Sequence, residues 1–135
     1  MNPRYIVLAV AALSVAFFLY RQYGQSELEG VTAVSSVQAL AALTDDPEIR
    51  VLDIRTPAEF AEGHVRGAVN IDFMSADFAK RLEKLDPNAA YLVYCRSGNR
   101  SARAMKVFGR LGFSRVLHMK RGIRDWQGQG LPLVN

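Results

Sequence analysis

The sequence is poor in the residues that build disulfide frameworks and metal centres. It holds one cysteine, Cys95, and two histidines, His64 and His118, in 135 residues. A lone cysteine excludes an internal disulfide framework and any Cys-rich metal site. The histidines show no HxxE or HExxH spacing, which argues against a zinc enzyme, and neither a metal nor a cofactor is expected. Ten Gly and five Pro are ordinary amounts, so collagen, disorder and low-complexity classes are excluded. No internal repeat appears at a solenoid period.

Long apolar runs are also scarce, with one exception at the N-terminus. Tyr5 to Tyr20 reads YIVLAVAALSVAFFLY, with Ser14 as its only clearly polar residue. As a helix it would span about 24 Å, a little short of a hydrocarbon core of about 30 Å. Arg4 and Arg21 bracket it and can snorkel outward, and Tyr5, Tyr20 and Tyr23 suit the interfacial belts. Residues 1–22 are therefore expected to be a transmembrane anchor. A cleaved signal peptide is the competing reading, but no A-x-A spacing follows Tyr20. A buried core helix is the plainer alternative. The expectation is a single-pass protein of a bacterial inner membrane. The amino group and Arg4 outnumber Arg21 by one charge, which leans towards a translocated, periplasmic domain.

Residues 23–30 read as a polar linker, and 31–135 as one domain of ordinary size. Strand-length apolar runs there alternate with helical patterns, which predicts an α/β fold with a covered parallel sheet. Strands are expected at 31–34, 49–54, 68–71, 91–94 and 116–119. Ser35 and Gln38 form a capping box ahead of an apolar face of Val37, Leu40 and Leu43. Pro57 opens a short helix. Ser75 is expected to cap another that runs to Leu85. A helix from Ser101 to Leu111 stops at Gly112, and a short one around Ile123–Trp126 closes the domain.

Charge is divided unevenly. Residues 96–135 hold nine Lys or Arg against one acid, Asp125, whereas 31–95 hold six against ten. A basic half next to the only cysteine points to an anionic substrate. A solvated basic helix face (Arg103, Lys106, Arg110) is the bland reading of part of it. Nucleic acid is not an expected partner, because the basic residues lack interleaved aromatics and a binding motif.

Cys95 is expected at the carboxyl end of a strand, where ligands bind in parallel α/β sheets. Gly98 lets the following loop, Arg96–Ser97–Gly98–Asn99–Arg100, curl its N–H groups inward as an anion nest backed by a helix N-terminus at Ser101. Arg96 and Arg100 add positive potential. Together these would lower the thiol pKa and favour the nucleophilic thiolate. An inert buried cysteine is the alternative.

This segment resembles the active-site loop of the rhodanese superfamily, Cys-x-x-Gly-x-Arg-Ser/Thr, through Cys95, Gly98, Arg100 and Ser101. The stretch 51–71 is similar to a second signature of that family through Asp53, Arg55, Glu59, Phe60, Gly63, His64, Gly67, Ala68 and Asn70. The tail RGIRDWQGQGLPLV is similar to the family's Gly-Gly-x-x-x-Trp…Gly-Leu-Pro-Val ending, except that Arg121 stands for the first Gly. That departure predicts a perturbed turn near the site mouth and altered substrate choice. The resemblance implies a rhodanese-like domain and a sulfurtransferase. Cys95 would take a sulfane sulfur from a small anionic donor, thiosulfate or a persulfide, and pass it to a thiophilic acceptor. That acceptor would be a thiol or cyanide-type nucleophile, a thioredoxin-like protein among the candidates. Residues 96–100 would cradle the persulfide, with Arg96 meeting the donor. Asp53, Arg55 and Glu59 would form a structural ion-pair network, His64 a turn or packing residue, and Trp126 part of the core. His118 gives no signal.

Two other functions share these residues. The first is a cysteine phosphatase or arsenate reductase; cysteine phosphatases resemble C-x5-R, with His commonly before the Cys. Here the loop is C-x4-R, one residue shorter, and the preceding residue is Tyr94. A non-catalytic, membrane-tethered binding or sensor module is the second.

Overall fold

The computed structural model describes residues 12–15 and 28–135. Its elements are β1 (Val31–Val34), α1 (Ser36–Asp45), β2 (Arg50–Asp53), α2 (Pro57–Ala61), β3 (Val69–Asn70), α3 (Phe78–Glu83), β4 (Ala90–Tyr94), α4 (Asn99–Arg110), β5 (Arg115–Met119) and α5 (Gly122–Gly128). The strands form one sheet in the order β1-β5-β4-β2-β3, and every pairing is parallel. This is the expected α/β fold, with a central parallel sheet flanked by helices.

The central strand explains the layering. Along β4 and into the next residue, Tyr91, Val93 and Cys95 face one hydrophobic cluster, while Leu92 and Tyr94 face the other. All five are at most 1% exposed, as expected of a parallel strand covered on both sides. Phe78 and Leu82 of α3, with Ala104, Met105 and Phe108 of α4, close the first face. Ala39 of α1, with Ile123 and Trp126 of α5, closes the second.

Local signals set most element ends. Ser35 accepts from the Gln38 N–H while the Gln38 side chain accepts from the Ser35 N–H, so the capping box is present. Thr56 and Glu59 form a second, unexpected box that brackets Pro57. At the end of α4, Gly112 adopts φ +77°, and the N–H groups of Gly112 and Phe113 return to the carbonyls of Gly109 and Phe108. That is a Schellman closure.

Four expectations are corrected. Val37 is 56% exposed; the buried side of α1 carries Ser36 and Ala39, with Leu40 and Leu43 packed partly against them. Ser75 caps no helix: its hydroxyl donates to Asp77 Oδ1 at 2.5 Å, and α3 begins three residues later. α4 begins at Asn99 rather than Ser101, so Asn99 and Arg100 belong to its first turn. Arg121 perturbs no turn, because its φ of −106° suits any residue. The glycine this turn requires is Gly122, at φ +64°, where a Cβ would collide with the Arg96 carbonyl.

Among the described residues, no helix is long and apolar enough to cross a membrane. The run Tyr5–Tyr20 lies outside the described residues apart from residues 12–15, which are helical.

Candidate active site

The chain leaves β2 towards β3 at one edge of the sheet, but leaves β4 in the opposite direction towards β5. Cys95 follows β4 at this reversal, where a crevice opens at the carboxyl ends of parallel strands. The residue is 1% exposed.

The loop after Cys95 is shaped from behind. The N–H groups of Ile123 and Arg124, in the first turn of α5, donate to the carbonyls of Cys95 (2.9 Å) and Arg96 (3.1 Å). In a planar trans peptide the N–H points opposite to the C=O, so pulling these carbonyls outward turns the next N–H groups inward. Gly98, at φ +100°, completes the curl; a Cβ there would collide with the Lys120 carbonyl oxygen. Its N–H donates to Cys95 Sγ at 3.2 Å.

The sulfur also serves as a helix cap. Gly98 is the N-cap residue of α4 and has no side chain to accept from the exposed N–H groups of the first turn. Cys95 Sγ fills that role, accepting from the Ser101 N–H at 3.4 Å and lying 3.3 Å from the Ser101 hydroxyl. Negative charge on sulfur therefore sits at the positive end of a twelve-residue helix. Burial alone would push the thiol pKa up. The Ser101 hydroxyl and the N–H groups of Ser101, Gly98 and Ser97 outweigh it and bring the thiol below its ordinary value.

The two loop arginines behave differently. Arg96 is exposed at the rim, as is Ser97. Arg100 turns towards Glu59 of α2, its two terminal nitrogens each 2.8 Å from a carboxylate oxygen. This bidentate pair holds Glu59 down at about 2, with the Arg100 hydrogen bonds the largest cause. Beside the loop, a cavity of about 420 Å³ is lined by Ser97, Arg121, Arg124, Asp125, Gly128 and Gln129. Arg121 and Arg124 give it positive charge, partly offset by Asp125, whose Oδ1 lies 3.8 Å from Arg121 while its Oδ2 accepts from the Ser36 hydroxyl at 2.6 Å.

The expected network of Asp53, Arg55 and Glu59 is hydrogen-bonded as two pairs, with Glu59 still acting on Arg55 through its charge. Asp53 is fully buried and accepts from the Arg55 guanidinium at 2.7 to 3.0 Å. Arg55 also donates to the Gly63 carbonyl at 2.7 Å, and the Asn70 amide donates to the carbonyls of Asp53 and Arg55. Glu59 belongs to the other pair, because α2 carries it across the crevice to α4. His64 packs: its ring stacks on Phe60 at 3.8 Å, and its backbone bridges to Val134. Trp126 is core, 2% exposed, with its indole N–H on the Pro132 carbonyl. Tyr94 lies on the opposite sheet face from Cys95 and accepts from the Val65 N–H.

One residue near the sulfur carried no sequence signal. His118 of β5 is buried, with Nε2 2.8 Å from the Ser101 hydroxyl. Only strand parity could have found it, since His118 shares a sheet face with Val116 and hence with Cys95. Among the described residues no cluster of His, Cys, Asp and Glu could hold a metal ion.

Fold and loop together define a class, and comparison with known proteins agrees. Residues 36–129 match the family described as Rhodanese-like domain, and the chain belongs to that family. A sulfurtransferase of Allochromatium vinosum is 33% identical over 104 residues, covering 77% of this chain and 95% of that protein. A putative sulfurtransferase of Bacillus subtilis, YtwF, is 30% identical over 102 residues, covering 76% and 96%. The crystal structure of a rhodanese-related protein from Thermoplasma volcanium matches with a TM-score of 0.66 at 27% identity, covering 76% and 96%. The family is thus of rhodanese type, with relatives named as sulfurtransferases.

Proposed function

We propose that the protein is a sulfurtransferase that carries a sulfane sulfur as a persulfide on Cys95. The carrying observation is the set of donors converging on Sγ: the N–H of Gly98, and the N–H and hydroxyl of Ser101. They stabilise a thiolate before attack and a charged outer sulfur after it, without reorganising.

The two displacements balance. The Cys95 thiolate attacks the terminal sulfur of thiosulfate, forming an S–S bond as sulfite leaves with the electron pair. A thiolate or cyanide then attacks the outer sulfur, and the Cys95 thiolate is regenerated. No general acid is required, because both leaving groups depart as anions. A cysteine as buried as Cys95 suits a donor whose reactive atom is terminal. Arg121 and Arg124 beside Ser97 support an anionic donor, thiosulfate or a low-molecular-weight persulfide.

The phosphatase reading is disfavoured because both terminal nitrogens of Arg100 are committed to Glu59 instead of a tetrahedral anion. We extend the proposal to membrane tethering through residues 5–20, on the strength of their apolar run and flanking Arg4 and Arg21. Retention of the full chain in the membrane pellet after alkaline carbonate washing tests that part.

For the chemistry, the test is transfer from thiosulfate to cyanide, followed as thiocyanate, with the full chain and Cys95→Ser. Turnover in the wild type alone is expected. A folded wild type that transfers no sulfur from thiosulfate or from a small persulfide would leave the binding-module reading in its place.

A further inference from the structure

Behind the active-site sulfur lies a buried titratable residue that the displacement chemistry does not use. The Ser101 hydroxyl has three neighbours: His118 Nε2 at 2.8 Å, the Gly98 carbonyl at 3.2 Å and Cys95 Sγ at 3.3 Å. A hydroxyl has one proton to give and lone pairs to receive with. A thiolate and a carbonyl can only accept. If His118 Nε2 carried no proton, three acceptors would compete for that one proton, and the shortest contact would draw it away from sulfur. If Nε2 carries a proton, it fills an Oγ lone pair and leaves the hydroxyl free to donate. The Gly98 carbonyl already accepts from the Ala102 N–H at 2.9 Å, and an anionic sulfur is the stronger acceptor. The tautomer assigned by this accounting satisfies all three groups.

We propose that His118 is a positioning residue for Cys95: its Nε2–H donates to Ser101 Oγ and so aims the hydroxyl proton at the sulfur. The inference rests on Cys95 being the reacting thiol. His118 sits in β5 between Ala33 of β1 and Val93 of β4, neither of which carries charge. The side of α4 that packs inward presents Ser101, Ala104, Met105 and Phe108. The charged residues of α4 point elsewhere: Arg100 to Glu59, Arg103 over the Phe73 ring, and Lys106 and Arg110 to solvent. Cys95 is therefore the ionisable group that His118 addresses, through one hydroxyl. Burial holds the imidazole below its ordinary value, so it is neutral at neutral pH, and Nε2–H remains a donor when the ring is protonated.

The test is the titration of Cys95 by ultraviolet thiolate absorbance in the full chain, with Cys95→Ser subtracted as a blank. Removing one hydrogen bond to an anion is expected to raise the half-point by about one unit, about tenfold in thiolate fraction at neutral pH. His118→Leu and Ser101→Ala should each show this rise, and the double variant no more than either. His118→Gln, whose amide N–H can stand in for Nε2–H, should stay near the wild-type half-point. His118→Met is the second apolar variant should His118→Leu not fold, and thermal melts establish folding for each. A purely structural role would lower melting temperatures without moving the half-point. A folded apolar variant with a wild-type half-point, a His118→Gln displaced as far as the apolar variants, or additive shifts would overturn the proposal. Thiolate absorbance needs no sulfur donor, so its outcome is independent of whether the protein transfers sulfur.

Discussion

Two carboxylate–arginine pairs flank the crevice at the carboxyl ends of the strands, and they do different work. Asp53 and Arg55 are two residues apart and buried at 0% and 5% exposure, and Arg55 also holds the Gly63 carbonyl. Glu59 and Arg100 are forty-one positions apart, each about one-fifth exposed, and join the helix after β2 to the helix after β4. The first pair builds the floor on which the β2 loops turn. The second fixes the spacing of the crevice and neutralises much of an arginine that would otherwise charge the sulfur's surroundings. The thiol is thus activated mainly by backbone N–H groups and a serine hydroxyl, which cannot be neutralised by salt or by a neighbouring acid.

The contrast can be broken from either side. Arg55→Ala strands a buried Asp53 carboxylate and should cost about 3–5 kcal/mol, the largest effect expected, measured by urea unfolding. A cost below about 1 kcal/mol would mean that water reaches Asp53 and that the floor is not dry. Gly98→Ala addresses the backbone donors instead. The left-handed φ and the Lys120 carbonyl force the loop to move, at about 1–3 kcal/mol, and the Cys95 titration should move up as Sγ loses its N–H. An unchanged titration would show that Gly98 serves the turn alone.

The smallest effect belongs to the partly buried pair, Glu59 and Arg100. Glu59 is held at about 2 in the fold, below its unfolded value. Its contribution is therefore complete above the unfolded carboxylate value near pH 4.3 and is lost as pH falls towards 2. With solvent screening this amounts to about 1–2 kcal/mol. Glu59→Gln should remove that part of the acid slope in unfolding experiments and, by leaving Arg100 uncompensated, move the Cys95 half-point down. A large rise in the Cys95 half-point would mean instead that the pair holds the loop itself.

What the sequence made legible was whatever local chemistry decides. The apolar runs at Val51 and Tyr91, the Ser35–Gln38 box and the Gly112 stop needed only neighbours in the chain, and each appears near its expected place. The loop from Cys95 to Ser101 was legible for the same reason, because Gly98 and the strand-to-helix change are local. Long-range geometry was not. Glu59 reaches Arg100 only because β2 and β4 are neighbours in the sheet, and His118 reaches Ser101 only because β5 lies on the other side of β4. Ser75 misled for a different reason: Asp72 and Asp77 offer its segment competing turn bonds, to the Met74 N–H and to the Ser75 hydroxyl, and the helix starts after them. Arg121 misled because the left-handed turn is one residue further on, at Gly122.

The account's central claim is that Cys95 takes up a sulfur atom as a persulfide. The most direct measurement is the intact mass of the full chain after incubation with thiosulfate, beside Cys95→Ser treated alike. The expected result is a gain of one sulfur atom in the wild type alone, removed by cyanide or by a thiol. A folded wild type that gains no sulfur from thiosulfate or from a low-molecular-weight persulfide, or a gain that persists in Cys95→Ser, would contradict it.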